Sequence, residues 1–167
     1  MEKNLDNKEA ISKLKNLAEE IKICMLATSD TSNNLYGRPM TTMEVDDNGT
    51  IWFFTADNTK IAQQAAKQSE VCLNYAHPGK NSYLTVQGNA ELVNDKEKMK
   101  QLWTPMLKTW FPDGVDDPSI ALLKVTPTQA HYWDSDASRV SLLFAWVKAN
   151  ITGDGSGLEG KHGDLNV

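Results

Sequence analysis

The chain has 167 residues, with 40% hydrophobic and 23% charged, a balance that supports a single packed domain and excludes global disorder. A formal charge of -5 with scattered Lys and Arg argues against a nucleic-acid partner. No long apolar run and no apolar leader are visible, so neither a membrane-spanning segment nor export is expected.

Ile11, Leu14, Leu17, Ala18 and Ile21 recur at three- and four-residue spacing, which predicts an amphipathic helix over 8–21. Residues 23–28 form a short apolar run, Ser29 to Asn34 supply turn chemistry, and 35–45 read as extended, giving a hairpin. Asp46-Asp47-Asn48-Gly49 is a strong tight-turn signal, and 50–55 read as the returning strand. The sheet is therefore antiparallel here.

Asp57 or Asn58 is placed to cap a helix through Ile61, Ala62, Ala65 and Ala66. Residues 71–75 return to strand character, His77 to Asn81 break it, and 83–93 read as the longest strand. Asp95 caps a helix through Met99, Leu102 and Trp103, after which several prolines make the chain irregular apart from 106–110. Residues 120–125 and 130–133 read as two short strands separated by Thr126-Pro127. A helix is expected from Ser138 through Val147, and 151–167 read as a mobile Gly-rich tail following a domain over 1–150. Short strands joined mostly by hairpins, with interspersed helices, argue for a small antiparallel barrel. No dinucleotide-binding or phosphate-loop glycine pattern is present. Cys24 and Cys72 lie in apolar runs without metal-ligand spacing, which predicts buried thiols, no metal site and a reducing cytoplasm.

The segment Phe53-Phe54-Thr55-Ala56-Asp57-Asn58-Thr59-Lys60 delivers hydroxyls and a lysine to the start of a helix. That set suits a phosphate, since helix-opening N–H groups and the dipole favour an anion. An ordinary capped helix with an exposed lysine accounts for the same residues. Gly37-Arg38-Pro39-Met40 lies on the neighbouring strand, from which the Arg38 fork is positioned to reach the same phosphate, while Pro39 leaves main chain open toward a flat ligand. Trp103 and Trp110 fit either core or interface packing or pocket lining, and Trp52 and Trp146 fit core or dimer packing.

These segments, with Val86-Gln87-Gly88, Leu102-Trp103-Thr104-Pro105, Trp110-Phe111-Pro112, Tyr132-Trp133-Asp134 and the tail bearing His162-Gly163, follow an order along nearly the whole chain. In that order the sequence resembles the bacterial general stress proteins of the pyridoxamine 5'-phosphate oxidase-like FMN-binding split-barrel superfamily. The resemblance implies an antiparallel split β-barrel with flanking helices, a homodimer and FMN at the subunit interface. It implies flavin contacts from Arg38, Pro39, Met40, Thr41, Phe54, Thr55 and Tyr83, a phosphate-binding helix start at Thr59 and Lys60, and Trp133 supplied by the partner subunit.

The sequence departs from the true oxidases where they hold the vitamin. Met43 replaces their lysine, Arg139 matches their arginine, Ser141 replaces their histidine, and Leu143 replaces a flavin-contacting arginine. Vitamin B6 oxidation is therefore not expected, and His77, His131 and His162 read as loop, strand and tail residues rather than general bases. The expectation is an FMN-dependent oxidoreductase acting on an unidentified small partner. The alternatives are a non-catalytic protein that sequesters or senses FMN, and a structural dimer without flavin.

Overall fold

The structure is a computed structural model that describes residues 5–134 and 161–166. Helix α1 (Asn7–Ile21) follows a two-residue strand β1 (Leu5–Asp6), and its stripe of Ala10, Leu14, Leu17 and Ala18 is buried. Strands β2 (Ile23–Ser29) and β3 (Leu35–Thr41) form the expected hairpin, paired from Ile23 opposite Thr41 to Ser29 opposite Leu35. The extended stretch then changes partner. Thr42 N donates to Lys22 O at 2.7 Å and Met43 N to Trp52 O at 2.9 Å, so the chain leaves β2 and starts β4 (Glu44–Val45) against β5 (Ile51–Ala56). Between them, Asp46 Oδ1 accepts from the amides of Asn48 and Thr50, and Gly49 has φ +82°, a conformation that favours glycine.

Helix α2 (Lys60–Lys67) is followed by β6 (Glu70–His77), β7 (Ser82–Val93), α3 (Lys96–Leu102), β8 (Ile120–Asp134) and β9 (Lys161–Asn166). The hydrogen-bonded order is β1-β9-β8-β7-β6-β2-β3, with β5 also pairing β8 and β4 pairing β5. Every pair is antiparallel except β1 with β9. The sheet curls into the expected antiparallel split-barrel architecture with flanking helices. β3 lies at one edge and β5 near the other.

Two apolar clusters stabilise this arrangement. The larger joins α1 to the inner faces of the strands through Leu14, Leu26, Phe53, Leu73, Leu84 and Leu123. The smaller gathers Phe54, Met99, Leu102, Leu107, Phe111, Ile120 and Leu122 on the other face of β5 and β8. Both faces of this pair are covered, which explains the uninterrupted apolar run Ile120-Ala121-Leu122-Leu123. Each fully buried large side chain contributes roughly 1.5–3 kcal/mol.

Several expectations need correction. The longest strand is β8, with 15 residues against 12 for β7, and it runs through Thr126-Pro127 instead of breaking there. The ladder slips by one residue between Gln87 and Gly88, a bulge of the kind that accommodates an imino residue within a strand. Thr59, not Asp57 or Asn58, caps α2; its hydroxyl accepts from Ala62 N at 3.4 Å while Asp57 and Asn58 occupy the preceding turn. Residues 161–166 are not a mobile tail but strand β9, because backbone pairing with 130–134 of β8 gives them partners far away in the sequence. His162 thus sits in a strand opposite Trp133. Cys24 is buried as expected, whereas Cys72 is only half-buried because it faces outward from β6. The expected helix from Ser138, with Arg139, Ser141, Leu143 and Trp146, lies outside the described residues.

Candidate functional site

β5 carries Phe54 and Thr55 to the junction with α2. A turn closed by Thr59 N donating to Ala56 O at 3.1 Å returns the chain so that Thr59 faces Thr55. Their hydroxyl oxygens are 3.1 Å apart, and Thr59 Oγ1 also donates to Ala56 O at 2.7 Å. Both hydroxyls are thereby fixed at the positive end of α2, whose first-turn N–H groups lack helical partners.

β3 passes alongside with Pro39, Met40 and Thr41. Together with Phe54, Thr55, Ala56 and Thr59 these residues line a cavity of about 470 Å³, closed by Met43, Ile23 and the segment containing Leu107, Trp110 and Phe111. That volume falls within the usual range for small-molecule sites. None of the lining side chains is charged. Its apolar floor is held by Phe54, which packs edge-to-face on Trp103 with centroids 6.0 Å apart, and by Phe111 at 6.4 Å. Such aromatic pairs add about 0.5–1.5 kcal/mol beyond area burial. A second hollow of about 520 Å³ lies on the outer face around Cys72, Asn74, Gln87 and Thr128, and none of the residues expected to bind ligand lines it.

The structure therefore brings Pro39, Met40, Thr41, Phe54, Thr55 and Thr59 into one cavity. Arg38 and Lys60 are the immediate chain neighbours of lining residues but do not line the cavity themselves, and Lys60 lines instead a separate hollow of about 200 Å³ with Asp30, Gln63 and Gln64. Arg38 Nη2 donates to Gln64 Oε1 at 3.3 Å, while its Nε is buried without a hydrogen-bond partner among the described residues. Lys60 Nζ stands 4.0 Å over the Tyr36 ring, a cation–π contact at an exposed position. The Tyr36 hydroxyl donates to Asp30 Oδ2 at 3.2 Å, and that hydrogen bond pushes its pKa up.

Tyr83 and Trp133 lie elsewhere on the chain's own surface. They are register partners on β7 and β8, with Trp133 45% exposed and packed on the His131 ring at a centroid distance of 4.4 Å. Neither lines the cavity, so any contact from Trp133 to this site would come from a second subunit. His77 Nδ1 accepts from Lys80 N at 3.2 Å and acts as a turn cap. Sequence reasoning singled out neither Ile23 nor Leu107 of the lining, named Phe111 only within the motif Trp110-Phe111-Pro112, and did not single out Gln64, which holds Arg38. Trp110 lines the cavity and is 63% exposed, whereas Trp103 packs behind Phe54.

A split barrel in which β3 and β5 enclose an uncharged cavity beside a helix start defines the class. The chain belongs to the family described as pyridoxamine 5'-phosphate oxidase like, whose profile matches residues 9–156. It is 32% identical over 84 residues to general stress protein 26 of Bacillus subtilis, an alignment covering 48% of this chain and 59% of that one. A solved general stress protein 26 from Jannaschia sp. CCS1 superposes with a TM-score of 0.78 at 23% identity, covering 96% of this chain and 99% of that one. The general stress FMN/FAD binding protein of Xanthomonas citri gives a TM-score of 0.67 at 26% identity, covering 78% and 92%. The resemblance read from the motifs is thus borne out for family and fold.

Proposed function

We propose that this protein binds FMN in the cavity between β3 and β5 and uses it to oxidise or reduce a small partner molecule. The observation that carries the reading is the convergence of Pro39, Met40, Thr41, Phe54, Thr55 and Thr59 on one uncharged cavity. The buried, unpartnered Nε of Arg38 supports the fit, since a buried donor without an acceptor is costly and a phosphate oxygen would satisfy it. In this reading the Thr55 hydroxyl, the Thr59 hydroxyl turned away from Ala56 O, and the first turn of α2 receive the phosphate. Arg38 and Lys60 neutralise its charge. Phe54, Met40 and Trp110 give the ring system an apolar bed and exclude water.

Bound FMN supplies the electron and hydride transfer, so no acid or base on the cavity wall is required. The uncharged lining equally suits a protein that sequesters or senses FMN without turnover. Exposed Trp133, outside the cavity of its own chain, supports a homodimer in which each subunit completes the other's site. No helix among the described residues is long and apolar enough to cross a membrane, and the unpaired cysteines fit a reducing cytoplasm.

Titration of the apoprotein with FMN and riboflavin, followed by visible absorbance, tests the site: FMN is expected to bind far more tightly, and equal affinities would overturn the phosphate assignment. Anaerobic bleaching of the bound flavin by NAD(P)H would support the oxidoreductase over the sequestering protein. Ultracentrifugation that finds a monomer binding FMN tightly would remove the two-subunit site.

A further inference from the structure

Gln64 is the polar exception on the buried stripe of α2, among Ile61, Ala62 and Ala65. It is only 8% exposed, and a buried carboxamide is costly unless its hydrogen bonds are met. Its Oε1 accepts from Thr28 Oγ1 at 2.6 Å and from Arg38 Nη2 at 3.3 Å. Thr28, on β2, is itself 1% exposed, so the carboxamide is fixed from the sheet and in turn grips the guanidinium by one corner. Arg38 Nε is left buried with its donor unused.

We propose that Gln64 is the positioning residue that presets Arg38 for an anionic phosphate, so that α2 organises the whole phosphate-binding set; the proposal rests on the FMN reading above. One helix then carries the Thr59 cap and Lys60 at its start, and holds Arg38 through a residue about 6 Å beyond Lys60 along its axis at about 1.5 Å per residue. Arginine carries many rotamers, and fixing it before the ligand arrives removes an ordering cost that binding would otherwise bear. Gln64 touches the arginine rather than the ligand. Its effect must therefore appear only for ligands that carry the phosphate.

The readout is the ratio of FMN to riboflavin affinity, measured by calorimetry on the full chain, with circular dichroism and thermal melting to establish folding. Gln64→Met keeps the length and apolar fit of the side chain and removes the acceptor. It is expected to lower the ratio about tenfold, with riboflavin affinity unchanged. Thr28→Val, which frees the carboxamide without touching Arg38, is expected to shift the ratio in the same direction by a smaller factor, and it carries the test if Gln64→Met fails to fold. A folded Gln64→Met, or failing that a Thr28→Val, with an unaltered ratio overturns the proposal. Arg38→Ala separates the two readings: a ratio that falls there and in neither of the others leaves the phosphate site standing and removes only Gln64. A wild-type ratio near one removes both.

Discussion

Gly88 stands opposite Pro127 in the ladder between β7 and β8, at the point where the register slips. A Cβ added to Gly88 would lie 2.6 Å from the carbonyl oxygen of Thr126, which belongs to the backbone and has no freedom to swing aside. Gly88→Ala is therefore expected to destabilise the fold by about 1–3 kcal/mol, the scale of overpacking in a tight interior. Urea denaturation at neutral pH provides the check; an unchanged midpoint would show that the bulge relaxes freely.

Thr59 serves both the fold and the proposed site. Thr59→Ala removes the cap of α2, at a cost of about 1 kcal/mol, and also deletes one hydroxyl facing the cavity. Thr59→Ser retains the oxygen and is expected to keep nearly all of both. Thermal melting separates the capping effect from FMN affinity, because the stability loss persists without ligand whereas the binding loss appears only in the titration.

The two thiols are expected to differ in chemistry. Burial pushes the Cys24 pKa up to about 12, while Cys72 is half-buried on an outer strand face. At pH 8, a disulfide reagent added to native protein should modify Cys72 and spare Cys24 until denaturant is added. Mass spectrometry of peptides identifies the labelled residue.

The same burial predicts an alkaline limit. A thiol whose pKa is raised on folding adds stability that is fully present below its unfolded pKa near 9, and this stability is lost as pH rises from there toward 12. Buried Tyr75, whose hydroxyl bonds to Thr42 at 2.7 Å, is also pushed upward by desolvation and acts in the same sense. Denaturation midpoints measured between pH 8 and pH 11 should fall, and Cys24→Ala should flatten the slope by at most about 1.4 kcal/mol per pH unit. An equally steep decline in Cys24→Ala would assign the loss to other groups.

Pyridoxamine phosphate oxidase activity is expected to be negligible. Met43 lines the cavity at the position where the resemblance places a substrate-binding lysine, and a thioether cannot donate to a phosphate. Incubating FMN-loaded protein with pyridoxamine phosphate and oxygen, and following pyridoxal phosphate, tests this directly. Turnover at the rate of a true oxidase would redirect the function to vitamin B6 metabolism.

Local chemistry made much of the barrel readable. The α1 stripe and the turn from Asp46 to Gly49 are determined by residues within a few positions of each other. What was not readable depends on distant partners. Pro127 stays inside a strand only because β7 slips beside it, and 161–166 become a strand only because β8 offers them an edge. Of the residues that the resemblance singled out, Pro39, Met40, Thr41, Phe54, Thr55 and Thr59 share one cavity, whereas Tyr83 and Trp133 do not line it. Gln64 was not readable, because a glutamine at a helix position reads as solvent-facing until the fold places Thr28 and Arg38 against it.

β8 is clasped on both flanks, by β7 along most of its length and by β5 and then β9 on the other side. β5 is paired with it at every residue from Ile51 to Ala56, so the backbone beneath Phe54 and Thr55 is fixed by that ladder. The segment between Trp103 and Asp117 lies outside any ladder and is held by packing instead: Leu107 and Phe111 are buried in the smaller apolar cluster, whereas Trp110 is 63% exposed. Trp110 is the lining residue of that segment that can turn without unpacking the cluster, so exchange of a ligand is expected to pass beside it. The exchange rate would then respond to substitution at Trp110 and be insensitive to changes that merely strengthen the sheet.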